Sequence, residues 1–253
     1  MLTPEYLFRI TENSEQIASE LHAVIMQKII SRMMARLGRG EDYLLTATDK
    51  WQIDVLQEAG YLLEDILQEI ARITKKEVSE IQEAMEDAGV EAIKYDGKIY
   101  EEAGISSKPL EKSPALIRTL QRDYEATAHT WQNFARTTAN EAQRIFINQM
   151  DRAYRMVVSG AVSYTEAVRD VIDSVSEAGI KVSYPSGRKM SIEAATMMIV
   201  RTGVSQAAAD VTLARAKEMD VKYVITSSHL GARPEHEKWQ GKVFSVDWDK
   251  IKI

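Results

Sequence analysis

Apolar residues recur three and four positions apart over long tracts of this chain, the spacing that gathers them on one side of an α-helix. Between a helix start at Thr3-Pro4 and a stop at Gly38-Arg39-Gly40 they fall at Ile17, Leu21, Ile25, Ile29, Met33 and Leu37, which predicts one amphipathic helix. Met26, Met33 and Met34 soften its surface, because an unbranched thioether fits many shapes, and they are expected in the core. Asp49 followed by Gln52 has the form of a capping box, and Ile53, Leu56, Leu63, Leu67, Ile70 and Ile81 continue a second stripe toward Gly89. A second helix of about forty residues is predicted there.

Residues 89–113 lose that period and collect Gly, Ser and Pro, so they are expected to form a connector, with Tyr95-Asp96-Gly97-Lys98 as the turn of a small hairpin. Ser113-Pro114 opens a third helix whose stripe is Leu116, Leu120, Tyr124, Trp131, Phe134, Ala142 and Ile145, reaching about Ser159. At the helical rise it would be roughly 65 Å long. Helices of this length suit an antiparallel bundle or an elongated subunit of an assembly.

After Gly160 the pattern changes. Ser163 with Glu166 caps a short helix to Ala178, and IKVSYPSGRKMSI reads as a hairpin turning at Pro185-Ser186-Gly187-Arg188. Ser191 caps another helix, Arg201 to Gly203 is expected to interrupt or bend it, and an Ala-rich helix follows from about Val204 to Met219. Val221 to Thr226 has strand composition. Pro234 then starts a helical turn holding Glu235 to Trp239, Gly241 ends it, and Val243-Phe244 returns beside the Val221 strand, with Trp239 and Phe244 as core anchors. The predicted fold is mainly α: an elongated long-helix bundle or arm over residues 1–160, then a small α+β unit over residues 161–253.

Composition agrees with helix. Among 253 residues, 28% are charged, 7% are aromatic and five are proline, few breakers for such long periodic tracts. Cysteine is absent, which removes disulfides and thiolate metal sites and suits a reducing cytoplasm or a particle assembled there. The first residues carry no basic run followed by an apolar stretch, and no segment approaches the roughly eighteen apolar residues of a membrane span, so a cytoplasmic, membrane-free protein is expected. Net charge is −6 and uneven: residues 181–253 hold 12 Lys and Arg against 8 Asp and Glu, so the rest is acidic. An acidic helical body argues against a general DNA-coating protein, whose affinity would rest on a clustered basic face.

Candidate chemistry concentrates in TSSHLGARPEHEKWQGKVF. His22 and His129 each stand alone within predicted helices, whereas His229 and His236 lie in this segment. Their separation of seven residues matches no compact metal-ligand spacing, and Ser227-Ser228 beside His229 lacks the G-x-S-x-G turn of a hydrolase nucleophile. No glycine-rich phosphate motif occurs, and Asp247 and Asp249 have no visible surroundings to split their pKa values. Arg233 and His236 are expected to hold the loop by hydrogen bonds. No catalytic, cofactor or metal residue is assigned, and the expectation is a structural protein without cofactors rather than an enzyme. Two other readings stand beside it: a metal-assisted hydrolase or nuclease centred on His229, Arg233, Glu235 and His236, and a helical scaffold or assembly chaperone.

The series Ile199-Val200-Arg201-Thr202, the Ala-rich helix ending Ala216-Lys217, Val221-Lys222-Tyr223-Val224, then Ala232-Arg233-Pro234-Glu235-His236 and Trp239-Gln240-Gly241-Lys242-Val243-Phe244 resembles the phage minor capsid protein 2 family. That family is similar in turn to Mu F-type head morphogenesis proteins. The resemblance is best over about residues 180–245, and the remaining two-thirds agrees in being long-helical. It singles out Arg201, Thr202, Arg233, Pro234, His236, Trp239, Gly241, Lys242 and Phe244 as structural motif residues. It implies a virion protein at the portal vertex of the head, present in multiple copies in a ring and assembled in the host cytoplasm. Portal protein, major capsid or scaffold protein and packaged DNA are the implied partners, with a role in packaging or ejection. Relatives often carry a further Cys- and His-containing segment or an enzymatic extension, and no activity of such a segment is carried over.

Overall fold

The structure, a computed structural model, describes residues 2, 4–106, 108–184, 186–228 and 233–250, with the side chains at 4, 13 and 74–78 outside that description. Helix dominates: α1 (Pro4–Leu37), α2 (Glu41–Leu44), α3 (Thr48–Glu102), α4 (Pro114–Val158), α5 (Tyr164–Ala178), α6 (Ile192–Glu218) and α7 (Pro234–Glu237). Two antiparallel strand pairs join them, β1 (Lys181–Ser183) with β2 (Lys189–Ser191) and β3 (Tyr223–Ile225) with β4 (Val243–Ser245). The mainly α architecture with small strand pairs toward the C-terminus is therefore as the sequence predicts.

By packing, the chain forms two units, each assembled from separated segments. One unit takes residues 4–82 and 126–202, the other 83–125 and 203–253 with the first three residues.

In the first unit α1 buries Leu21, Ile25, Ile29, Met33 and Leu37 as expected, while Ile17 is only partly buried beside the buried Ala18. The methionine expectation holds only for Met33; Met34 is 56% exposed and Met26 partly so, since they point off the stripe. Helix α3 corrects the sequence reading more sharply. Its core face is Trp51, Val55, Ala59, Leu62, Ile66, Ile70 and Ile73, whereas Ile53 and Leu56 are 57% and 59% exposed. The four-four-three spacing of the buried set is an eleven-residue period, close enough to the helix's own turn to hold one face over great length. Of the predicted stripe, Ile70 and Ile81 are buried as expected and Leu63 and Leu67 are half-buried on the flank of the core face, so the stripe is offset from the covered one and periodicity does not say which is covered.

Around these helices the unit closes by short polar links. Gln143 Nε2 of α4 donates to the Ala59 carbonyl of α3 at 3.2 Å, and Trp51 stacks on Tyr154 at 5.5 Å. Arg152 pairs with Asp170 of α5 at 2.6 Å. The Ser163–Glu166 capping box of α5 is present as predicted, with Gly179 in the left-handed region (φ 59°) at the other end. His22 of α1 lies 2.9 Å from Glu193 at the start of α6, and its Nε2 accepts from the Ile180 amide at 3.4 Å, so this helical histidine ties α1 to the β1–β2 hairpin. Part of the predicted hairpin turn, Pro185, lies outside the described residues.

The second unit shows why three expected breaks do not occur. Helix α3 continues through Gly89 and through Asp96-Gly97 to Glu102, so neither the stop nor the small hairpin forms, and the connector shrinks to residues 103–113. A Cβ at Gly89 would meet Leu110 at 3.3 Å, Leu120 at 3.5 Å and Val211 at 3.6 Å; glycine is there to let neighbouring elements approach, and it ends nothing. Met85, Ala88, Ala92 and Ile93 extend the buried stripe, which outweighs the roughly 1 kcal/mol that a helical glycine costs. Helix α6 likewise runs unbroken through Gly203, between buried Val200 and Val204. Arg215, 1% exposed, fixes the connector by donating to the Lys108 carbonyl and to Glu218, which also accepts from Ser113 Oγ at 2.9 Å.

Candidate functional site

The stretch richest in motif residues folds as a small module, β3–α7–β4, within the second unit. Val224 pairs with Phe244 and Ile225 with Val243, the antiparallel return expected from the sequence. Pro234 occupies the first turn of α7, where its missing N–H is harmless, and Arg233 precedes it with extended backbone. The amides of Trp239 and Gln240 donate to His236 and Glu237, and Gly241 then takes φ 64°, reversing the chain into β4.

Thr226, which sequence reasoning did not single out, is the clasp. Its hydroxyl donates to the Trp239 carbonyl and accepts from the Lys242 amide at 3.3 Å, while its own amide donates to the Lys242 carbonyl at 3.0 Å. Its place at the end of a predicted strand, facing the loop that must return, was the available signal. Trp239 Nε1 donates to the Glu235 carbonyl at 3.0 Å, Lys238 Nζ stands 5.2 Å above the indole, and Trp248 Nε1 donates to the Val221 carbonyl at 2.8 Å.

Trp239 and Phe244 are not the core anchors expected. Their rings lie 6.2 Å apart, but Trp239 is 51% exposed and Phe244 only half-buried, because no third layer covers a two-stranded sheet among the described residues. Arg233 and His236 are exposed, and among the described residues Thr226 and Trp239 supply hydrogen bonds that hold the loop. Tyr223, Ile225 and Val243, each more than 60% exposed, share one sheet face. The module presents apolar surface and backbone edges, the chemistry of contact. Arg201 and Thr202 belong to the first unit, at consecutive exposed positions of α6.

Of the four residues on which the alternative is centred, Arg233, Glu235 and His236 are exposed and His229 lies outside the described residues. Among the described residues no group of three His, Cys, Asp or Glu is placed to hold a metal ion, and no helix is long and apolar enough to cross a membrane.

The first unit carries an ionic seam between α1 and α3. Arg32 bonds Glu58 at 2.8 Å and also Asp65; Arg36 bonds Glu58 and, at 2.8 Å, the Tyr43 hydroxyl; Lys28 reaches Glu69 at 3.5 Å. Burial alone would raise the Glu58 carboxyl, but the Arg36 and Arg32 guanidiniums more than offset it and hold it below the usual range. Charges matched this closely fasten two helices and leave little for a ligand.

Comparison with known proteins adds the following. Residues 2–250 match the family described as phage minor capsid protein 2, well beyond the stretch over which the sequence resemblance was strongest. A relative described as a structural protein, from Lactococcus phage LL-H, is 24% identical over 248 residues, covering 90% of this chain. The chain spans 65% of that relative's length. No solved structure matches.

Proposed function

Because the chain belongs to the phage minor capsid protein 2 family, we propose that it is a structural minor head protein that associates with the portal vertex of a phage or phage-like particle during head assembly. The observation that carries this reading is the family match across residues 2–250, which takes in the long helices as well as the C-terminal motif. In this reading the long-helical residues 1–160 dock and residues 161–253 form the minor-head core. That division is one of role, since both packing units draw on segments from each side of residue 160. Several copies form a ring, and packaged DNA passes nearby. The solvent-facing apolar residues of α3, Ile53, Leu56 and Tyr61, supply a surface on which a portal helix would be buried. No catalytic step is assigned.

The test is co-expression with the cognate portal protein, followed by mass measurement and electron microscopy of the purified complex. A stoichiometric ring is expected, and the double variant Ile53→Glu/Leu56→Glu should abolish it while retaining the helical circular dichroism spectrum. A well-folded wild-type protein that does not bind portal sinks the proposal. Portal binding without retention in mature particles would instead favour the scaffold reading.

A further inference from the structure

In the second unit a groove of about 500 Å³ is lined by Ala115, Arg118, Thr119 and Arg122 of α4 and by Ala214, Lys217 and Glu218 of α6. The α4 residues recur at three and four, so they share one helical face, and those of α6 do the same. Sequence reading gave these residues no role beyond naming Lys217 within a motif.

The charges in this groove are unevenly satisfied. Arg118 and Lys217 make no ion pair or hydrogen bond among the described residues. Arg122 is fixed by two nitrogens, Nε at 3.1 Å and a terminal nitrogen at 2.8 Å from Asp123, the latter also 2.8 Å from Asp210, which leaves its other terminal nitrogen available. The lining carboxylate, Glu218, is already engaged by Ser113 at 2.9 Å and by the buried Arg215 at 3.4 Å. Thr119 is only 8% exposed, and its hydroxyl has no partner among the described residues although it borders the groove. A buried threonine in a helix ordinarily bonds the carbonyl a turn behind it.

A cation at the C-terminal turn of α6 offsets that helix's own dipole, which accounts for Lys217 alone. It does not place an unpaired arginine, a threonine hydroxyl that borders the groove and a second, tethered arginine on the facing helix. Guanidinium groups, an ammonium and a hydroxyl donor are together a donor set that matches a tetrahedral oxyanion with several oxygens to satisfy. We propose that this groove is a phosphate-binding site, Arg118, Thr119 and Lys217 supplying direct contacts and Arg122 a pre-positioned third cation. Two sources present that chemistry: the phosphodiester backbone of nucleic acid and free phosphate. The nucleic-acid source rests on the head-protein reading, whereas the site itself does not.

The experiment uses the full chain with a short labelled DNA duplex and, separately, inorganic phosphate and polyglutamate. Duplex binding followed by anisotropy between roughly 50 and 200 mM salt should weaken about 10-fold in Arg118→Ala/Lys217→Ala, with the salt slope reduced by about two. Thr119→Val, which keeps the shape and removes the hydroxyl, should lose a smaller factor. Arg72→Ala/Arg144→Ala removes two exposed arginines of the other unit and should bind as wild type. If phosphate alone raises the melting midpoint of wild type and not of the groove variant, and duplex does not bind, the source is free phosphate and the site stands. Equal binding by wild type and the groove variant, no binding of either probe, or a preference for polyglutamate overturns it. The groove variant should still co-purify with portal, so failure here and failure of the head-assembly reading give different results.

Discussion

From α1 to α6 nearly every helical turn delivers a side chain into a core; from Val221 to Lys250 no described side chain is buried. The two regions do not differ in the kind of residue they contain, because the module has its own Tyr, Ile, Val, Trp and Phe. They differ in how many layers stand behind those residues. A helix in a bundle meets neighbours on a broad face, whereas a two-stranded sheet covers little beyond itself. The helical region is therefore held by burial, and the module by the hydrogen bonds of Thr226, Trp239 and Trp248.

One substitution made in both places puts this contrast to its strongest test. Phe146 of α4 is fully buried, and Phe146→Ala should cost about 3–5 kcal/mol in thermal or denaturant unfolding. Phe244→Ala removes the same atoms from a half-open site and should cost less than about 1 kcal/mol. Equal losses would mean that the module is as firmly packed as the helices, and the contrast would collapse.

The same contrast explains what was legible. The stripe of α1 from Leu21 to Leu37, the Ser163–Glu166 box and the β3–β4 return rest on local spacing and local hydrogen bonds, and each is found as read. The errors arise where a distant partner decides. Asp96-Gly97 is a turn signal in isolation, but buried Ala92 and Ile93 carry the helix past it, and Gly89 and Gly203 lie inside helices whose neighbours sequence spacing does not reveal. Ile53 and Leu56 belong to a real apolar stripe, yet only the fold tells that Trp51 and Val55 hold the covered one. Trp239 failed as a core anchor for the converse reason: its size suggests burial, but its neighbours Lys238 and Phe244 lie at the surface themselves and leave it 51% exposed. The phosphate groove had no motif to find, since its cations meet only when α4 and α6 pack.

A smaller effect comes from the ionic seam between α1 and α3. The carboxyl of Glu58, which burial would raise, is held below its ordinary value of 4.5 by Arg36 and Arg32. A carboxyl lowered on folding stabilises in its charged form, so the contribution is complete above the unfolded-state value and disappears as pH falls through the lower folded-state value. Glu58→Gln should therefore reduce stability near neutrality by about 1 kcal/mol and flatten the acid limb of the stability curve measured by denaturant titration. Asp220→Asn, which breaks a solvent-exposed 2.6 Å pair with Lys222 beside the module, should leave the unfolding midpoint unchanged. An unaltered acid limb in Glu58→Gln would show that the seam decorates α1 and α3 and does not fasten them.

The smallest global effect is also the most local. Gly241 adopts φ 64°, and a Cβ there would come within 3.1 Å of Ser228 Oγ. Gly241→Ala thus carries the cost of a left-handed non-glycine residue, about 1–2 kcal/mol, together with a close contact. If the module opens on its own, that cost falls on local opening and leaves the cooperative transition of the helices unmoved. The expected outcome is an unchanged melting midpoint with roughly 10-fold faster amide exchange at Thr226, Lys242 and Val246, whose N–H groups close the hairpin. A drop in the global midpoint without selective exchange would instead tie the module to the helical core, and its exposed face could no longer be treated as a surface independent of that core.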